Sequence, residues 1–189
     1  MDGYAIKALD ESTWDDFAAM MERNSGLFSG CWCTWFYPQD RLPEEENRAY
    51  KERMVREGVA GAALVVVGDI AVAWAQFGSP ADLPNIQHRK QYLEGVVTPP
   101  DYRITCIYVD KRHRRAGLAG AALRGAVELI AGAGGGLVEG YPQDTPGRKM
   151  NPSFLYNTTR HTYEEAGFSY DRPKGKNHCV MTRTVKASS

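Results

Sequence analysis

One segment constrains the fold of this chain more than any other. Residues 102–109 are rich in β-branched and aromatic side chains, which marks a strand, and they run directly into Lys111, Arg112, His113, Arg114 and Arg115. From Gly117 the pattern changes to Leu118, Ala121, Ala122, Val127, Leu129 and Ile130, the spacing of a largely buried helix. The glycine-rich stretch 132–136 ends that helix, and Leu137, Val138 and Glu139 supply a short following strand. Strand, basic glycine loop and helix form the central unit, around which the other elements must fit.

Residues 4–9 alternate weakly, as a strand does. Ser12 reads as a helix cap, with Trp14, Phe17, Ala18 and Met21 on one helical face and the helix running to about residue 24. The stretch 25–42 holds Gly26, Gly30, Pro38 and the aromatic residues Trp32, Trp35, Phe36 and Tyr37, and reads as a structured loop. Pro43 followed by Glu44, Glu45 and Glu46, with Gly58 as terminator, predicts a charged helix over 43–57. Residues 62–67 and 70–77 are apolar runs joined by Gly68 and Asp69, a hairpin with a type II′ turn. A short helix over 85–93 lies between breaks at Pro80 and at Pro99-Pro100, and a helix over 154–166 stops at Gly167. Residues 168–170 and 179–185 then close the sheet. There is no internal repeat. The order predicts one domain over 1–189 of mixed α/β class: a largely antiparallel sheet with one parallel strand pair beside the basic loop, flanked by helices.

At 189 residues, with 43% hydrophobic and 24% charged side chains, the composition is that of an ordinary globular chain. Lys plus Arg and Asp plus Glu both number 23, so no overall field favours nucleic acid or an anionic membrane, and neither is expected as a partner. The chain shows no basic-then-apolar leader and no apolar run of the ~18 residues a spanning helix needs, which predicts a cytoplasmic protein. Cys31, Cys33, Cys106 and Cys179 are too few and too scattered for a disulfide scaffold and are expected as thiols. Cys31 and Cys33 would make half a zinc site, but no second pair follows at the right spacing, and no metal is expected.

A pyrophosphate needs several backbone N–H donors converging on one point, and a helix N-terminus entered through a tight loop supplies them with a favourable dipole. Gly117 permits close approach, and Arg114 and Arg115 add positive charge. A solvated basic loop is the plainer reading of the same residues. The Gly-x-Gly-x-x-Gly of a dinucleotide fold and the Gly-Lys-Ser/Thr of a P-loop are both missing.

Arg114-x-x-Gly117-x-Ala119, following Cys106, Ile107, Tyr108 and Val109, resembles the Gln/Arg-x-x-Gly-x-Gly/Ala signature of the GNAT acetyltransferases. Tyr163-Glu164-Glu165-Ala166-Gly167-Phe168 resembles their Tyr-Glu-x-x-Gly-Phe segment, and the two motifs stand in the family's order. The resemblance covers residues 102–185 by motif and the earlier part by element order. Three further spans, around Cys31-Trp32-Cys33, Gln76-Phe77-Gly78 and Glu139-Gly140-Tyr141, look like a bacterial subgroup of that family.

The resemblance implies acetyl-CoA as cosubstrate and a primary amine of a small molecule as acceptor, attacked directly with no acyl-enzyme. It implies that backbone groups of Ile107, Tyr108 and Val109 hold pantetheine, and that Arg114 with the amides of Arg115, Ala116, Gly117, Leu118, Ala119 and Gly120 holds the pyrophosphate. Tyr163 matches the tyrosine that protonates the leaving thiolate, a task suited to a phenol, and reads equally as a core tyrosine on an amphipathic helix. The family's asparagine seven residues earlier is Tyr156 here, with Asn157 one position away as the cofactor-binding candidate. Where some relatives carry a basic glutamate on the central strand, this chain has Arg103, which cannot accept a proton. Glu139 is the substitute base, its plainer reading being a paired or exposed carboxylate, with Glu94, Asp101 and His88 as further loop candidates and a water chain as the alternative. Trp32, Trp35 and Phe36 either wall the substrate pocket or cover the core. Lys174-Gly175-Lys176 reads equally as a solvated turn or as an approach to a cofactor phosphate. A domain that binds acyl-CoA without catalysis, and a transferase for peptide or protein amines, are the competing readings. The oligomeric state is open, with a homodimer admitted.

Overall fold

The computed structural model describes residues 3–24, 30–38, 43–144 and 157–188. Within them seven strands hydrogen-bond into one sheet in the order β1-β2-β3-β4-β5-β7-β6. These are β1 (Ala5–Ala8), β2 (Ala62–Val67), β3 (Ile70–Gly78), β4 (Tyr102–Val109), β5 (Gly135–Gly140), β6 (Ser169–Lys174) and β7 (His178–Lys186). Every pairing is antiparallel except β4 with β5, which are joined through α4 (Leu118–Gly132) as a βαβ crossover. The mixed sheet with one parallel pair is as expected. No helix among the described residues is long and apolar enough to cross a membrane.

The hairpin of β2 and β3 turns at Gly68, whose φ of 59° is followed by an ordinary negative φ at Asp69, the signature of the type II′ turn the Gly-Asp pair predicts. The predicted cap of the first helix is different. Asp10, not Ser12, accepts the orphan N–H groups of Ser12 at 2.8 Å and Thr13 at 3.2 Å, so a 3-10 turn, Glu11–Thr13, precedes α1 (Trp14–Arg23). Helix α2 (Glu44–Arg56) matches the charged segment, and Gly58 terminates it in a left-handed conformation at φ 71°. The helix expected over 85–93 starts late, as α3 (Arg89–Glu94), because His88 is left-handed at φ 54° and stops helical geometry from extending backwards. Of the helix expected over 154–166, residues 154–156, including Tyr156, lie outside the described residues. The described part, α5 (Arg160–Glu165), begins at the cap residue Thr159 after left-handed Thr158.

Strand alternation sends the two faces of the sheet to different cores. Helix α4 covers the back, where Val65, Ala73, Ala75, Ile104, Val138, Cys179 and Met181 pack beneath Ala122, Leu123 and Ile130. Helices α1 and α2 cover the front of β2 to β4, where Leu64, Trp74 and Tyr108 meet Phe17, Met21, Trp32 and Val55. Farther along the same front face, α3 contributes Tyr92 to a small cluster with Ile86, Tyr141 and Val180.

The front core encloses a lysine. Lys51 of α2 is wholly buried, its Nζ donating to Tyr37 Oη at 2.8 Å and Gln76 Oε1 at 2.7 Å. The rings of Tyr37, Trp74 and Phe17 lie 4.8, 5.1 and 5.9 Å from that nitrogen. Removal from water lowers its pKa to about 8, although the nearby Cys33, Cys106 and Cys31 thiols favour the charged form and offset part of this. The unfolded lysine titrates near ~10.4, so between about pH 8 and about pH 10 the unfolded chain binds more protons than the native one, and stability conferred by neutral Lys51 rises with pH. Denaturant unfolding should show the parent gaining roughly 2 kcal/mol relative to Lys51→Met across that window. A difference that stays flat with pH would overturn this assignment of the buried charge.

Candidate functional site

The β4–β5 ladder is short. It pairs Tyr102 with Val138, Arg103 with Glu139 and Ile104 with Gly140, and then the strands part. Beyond this point β4 remains paired with β3 through Cys106, Ile107, Tyr108 and Val109, while its other edge has no strand partner among the described residues. Thr105 is the extra residue of a bulge opposite the step from Gln76 to Phe77, which bends β4 where the ladder ends. After Gly140, residues 141–143 turn away, and Gln143 bridges to Thr159 beside the start of α5. A buried backbone edge wants hydrogen-bond partners, so 105–109 offers a ready line of donors and acceptors to an extended ligand.

That line leads into the basic loop. Asp110 is buried and accepts from the Arg112 N–H at 3.0 Å, which holds the 3-10 turn Lys111–His113, and it pairs with Arg23 at 3.3 Å. Burial opposes its charge, but hydrogen bonds from Arg112, Asn24 and Arg23 prevail and keep its carboxyl below the usual range. Arg115 at φ 65° and Gly117 at φ 73° are both left-handed, and Gly117 caps α4. A left-handed arginine is strained, and such strain concentrates where backbone is shaped for a ligand. Among the described residues no backbone carbonyl engages the amides of Arg115, Ala116, Gly117, Leu118, Ala119 or Gly120. Leu118 is buried and anchors the first turn, Arg114 and Arg115 are exposed, and a methyl on Gly120 would come within 3.7 Å of Thr162 on α5. The helix start, its free amides and α5 thus surround one opening.

Tyr163 stands at the end of the β4–β5 ladder. It is fully buried on the back face, its ring packs against Phe168 at 5.0 Å, and its hydroxyl has no hydrogen-bond partner among the described residues. A Cβ on Gly140 would lie 2.0 Å from Tyr163 Cε1, so the glycine is what admits the ring. Burial pushes the phenol's pKa up, so it remains a proton donor. Asn157, buried just before α5, likewise has an unpartnered Oδ1. Orphaned buried polar atoms at Tyr163 and Asn157, beside an unpaired strand edge and free loop amides, fit the thioester, pantetheine and diphosphate of a CoA thioester.

Glu139 faces the front, in register with Arg103. It is buried, and its Oε2 accepts from Tyr92 Oη at 2.6 Å and Tyr141 Oη at 2.9 Å, while Arg172 pairs with Oε1 at 3.3 Å. Two phenol hydroxyls thus converge on one oxygen of this carboxylate. Tyr92, Tyr141 and Arg172 were not singled out as site residues from the sequence, because they gather here by strand register and loop return rather than by motif. Lys174 corrects one expectation. It is a buried end of β6, donating to Gln87 O at 3.2 Å, not part of a solvated turn. Asp101 lies at the far end of β4, accepting the Leu137 N–H at 2.7 Å, while Glu94 and His88 are exposed.

The aromatic segment divides. Trp32 is a core residue and not a pocket wall: it stacks on Trp14 at 5.9 Å under α1 and α2. Trp35 is exposed and meets half-buried Phe36 edge-on at 5.1 Å. Asn85 holds this turn to the loop after β3, donating to Trp35 O at 2.9 Å and Tyr37 O at 2.8 Å. Cys33 and Cys106 are buried free thiols with sulfurs 2.9 Å apart. The hydrogen bond to Cys106, together with burial, raises the Cys33 pKa, which suits packing more than nucleophilic chemistry. Among the described residues no three His, Cys, Asp or Glu side chains gather as a metal site.

No protein-family model matches the sequence, and no curated protein is similar to it. Solved structures are similar in fold. One is a protein assigned to the GNAT acetyltransferase family from Desulfovibrio desulfuricans, 17% identical, covering 96% of this chain and 99% of the other at a TM-score of 0.55. An N-acetyltransferase from Staphylococcus aureus is 13% identical over 98% of this chain and 100% of its own, with a TM-score of 0.54. RimL, a ribosomal-protein α-N-acetyltransferase solved with coenzyme A, is 12% identical over 100% and 97% of the two chains, with a TM-score of 0.51. The chain has the GNAT acetyltransferase fold.

The fit of Tyr163 over Gly140 is directly testable. Gly140→Ala should destabilise the protein by about 1 to 3 kcal/mol through overpacking, and by much less in a Tyr163→Ala background. Equal losses in both backgrounds, measured by denaturant unfolding, would separate the two residues.

Proposed function

We propose that this chain is an N-acetyltransferase, moving the acetyl group of acetyl-CoA to a primary amine of a small molecule by direct attack on the thioester. One coincidence carries the reading: an unpaired strand edge, a loop of free amides at a helix N-terminus and an unpartnered buried phenol all meet where β4 and β5 part. That a protein of the same fold was solved with coenzyme A supports the choice of cofactor.

Acetyl-CoA supplies an activated acyl thioester when bound. Backbone groups of Ile107, Tyr108 and Val109 hold the pantetheine arm, the amides of residues 115–120 with Arg114 hold the diphosphate, and Asn157 supports the cofactor from the side of α5. Tyr163 donates its hydroxyl proton to the departing sulfur. Glu139 draws the proton from the attacking amine through Tyr92 or Tyr141, whose hydroxyls already point at its Oε2. As the new C–N bond forms and the C–S bond breaks, one proton leaves nitrogen and one reaches sulfur. Trp35 and Phe36, tied down by Asn85, line the approach on the front. An aromatic approach held to the loop after β3 in this way favours a small acceptor over a folded protein surface.

A thiol-release assay with a panel of amines tests the activity, and binding of acetyl-CoA without CoA release from any amine would reduce the chain to a binding domain. Gly117→Glu places bulk and negative charge in the left-handed cap position and should abolish acetyl-CoA binding by calorimetry; unchanged affinity would remove the diphosphate site from this loop. Tyr163→Phe should lower kcat by roughly 100-fold with KM for acetyl-CoA changed by less than about twofold, and unaltered kinetics would remove the tyrosine from the acid role.

A further inference from the structure

We infer that the acceptor amine carries a small oxyanion, a carboxylate or a phosphate, and that Arg103 is the residue that receives it; this rests on the acetyl-transfer reading and names its substrate class.

The front of the sheet beside the β4–β5 opening holds an excess of buried positive charge. Arg103 is 7% exposed, and among the described residues its guanidinium hydrogen-bonds only to neutral groups: Nη1 donates to Leu83 O at 2.9 Å and Pro84 O at 3.5 Å, and Nη2 to Tyr92 Oη at 3.4 Å. Its Nε has no partner among the described residues. Arg172 does pair with Glu139 and with Asp171, yet its Nε is also unpartnered. The two guanidinium carbons each lie 5.2 Å from the centre of the Tyr92 ring, so the phenol holds both cations in place. Lys174 is 3% exposed, donates to Gln87 O and sits 5.1 Å from the centre of the Tyr141 ring. Against these three cations stand the buried carboxylate of Glu139 and the exposed one of Asp171.

A buried cation without an anionic partner is expensive, and a guanidinium with a free Nε–H beside an Nη–H presents the fork that fits a carboxylate or phosphate with two parallel hydrogen bonds. Arg103 occupies the ladder position just before Ile104 and Gly140, after which the strands part. One residue along a strand is about 3.3 Å, so a short acceptor held by its anion at Arg103 keeps its amine near the opening and near the phenols of Tyr92 and Tyr141. The same anion completes the charge balance of the cluster.

Matched amines of similar length decide the matter: 4-aminobutyrate, 2-aminoethyl phosphate and butylamine, each assayed by thiol release. One of the two anionic amines should exceed butylamine in kcat/KM by ~100-fold, and the better of them identifies the anion. Arg103→Met should raise KM for that amine ~10- to 100-fold with a smaller fall in kcat, and Arg103→Lys should restore part of the loss. Equal use of all three amines, or a preference that survives Arg103→Met, overturns the proposal while leaving acetyl transfer intact. Calorimetry with butyrate and ethyl phosphate, which cannot be acetylated, provides the second readout. If no amine is acetylated but one anion binds the parent and not Arg103→Met, the site stands and the transferase reading falls. If neither anion binds the parent, the site falls. Should Arg103→Met fail to fold by circular dichroism, Lys174→Met takes its place, with the same loss of anion binding expected and retained binding counting against the cluster.

Discussion

The premature end of the β4–β5 ladder is the constraint on which the rest of this protein depends. Two parallel strands at the centre of a sheet would ordinarily satisfy each other along their whole length, since unpaired buried backbone is costly. Here pairing stops at Ile104 and Gly140, the bulge at Thr105 bends β4, and the ring of Tyr163 fills the space that a side chain at position 140 would need. The open edge of β4 points along the chain to the basic loop, so the element with unsatisfied hydrogen bonds and the element with free amides form one continuous line. A fully zipped sheet would have a firmer centre and no place for an extended ligand.

Charge is arranged around that opening with little regard for the overall balance of the chain. The exposed arginines of the loop sit on the back-side approach, whereas Arg103 and Lys174 are buried and Arg172 half-buried on the front. Lys51 shows how the same fold treats a buried cation when nothing external is to be bound: two hydrogen bonds and three aromatic rings enclose it. Arg103 is also bonded at both Nη atoms and lies beside the Tyr92 ring, but its Nε has no partner among the described residues. That contrast, between a cation satisfied by the protein and one left with a free donor, separates a structural charge from a recognising one.

Much of the architecture was legible in the chain because it is local. The hairpin at Gly68, the charged second helix, and the strand, loop and helix around Gly117 are all set by periodicity and by residues that tolerate positive φ. Errors occurred where one residue's conformation overrode a pattern: left-handed His88 delayed α3, and Asp10 displaced Ser12 as cap because its carboxylate reaches two amides at once. The aromatic run at 32–37 could be read as wall or as core, and Trp32 fell to the core because its left-handed backbone, at φ 45°, brings the indole against Trp14 under α1 and α2.

What the sequence by itself determined is the order of elements, the mixed sheet and the amide loop at the start of α4, since each is encoded by neighbours within a few positions. What only the tertiary structure decided is which side chains share a site. Arg103 faces Glu139 because of the register of a parallel ladder, Tyr92 and Arg172 arrive from a helix and an edge strand, and Tyr163 reaches Gly140 from α5. Those meetings depend on how the sheet is stacked and on where one ladder stops. Such contacts are set by long-range packing, and no local pattern in the chain records them.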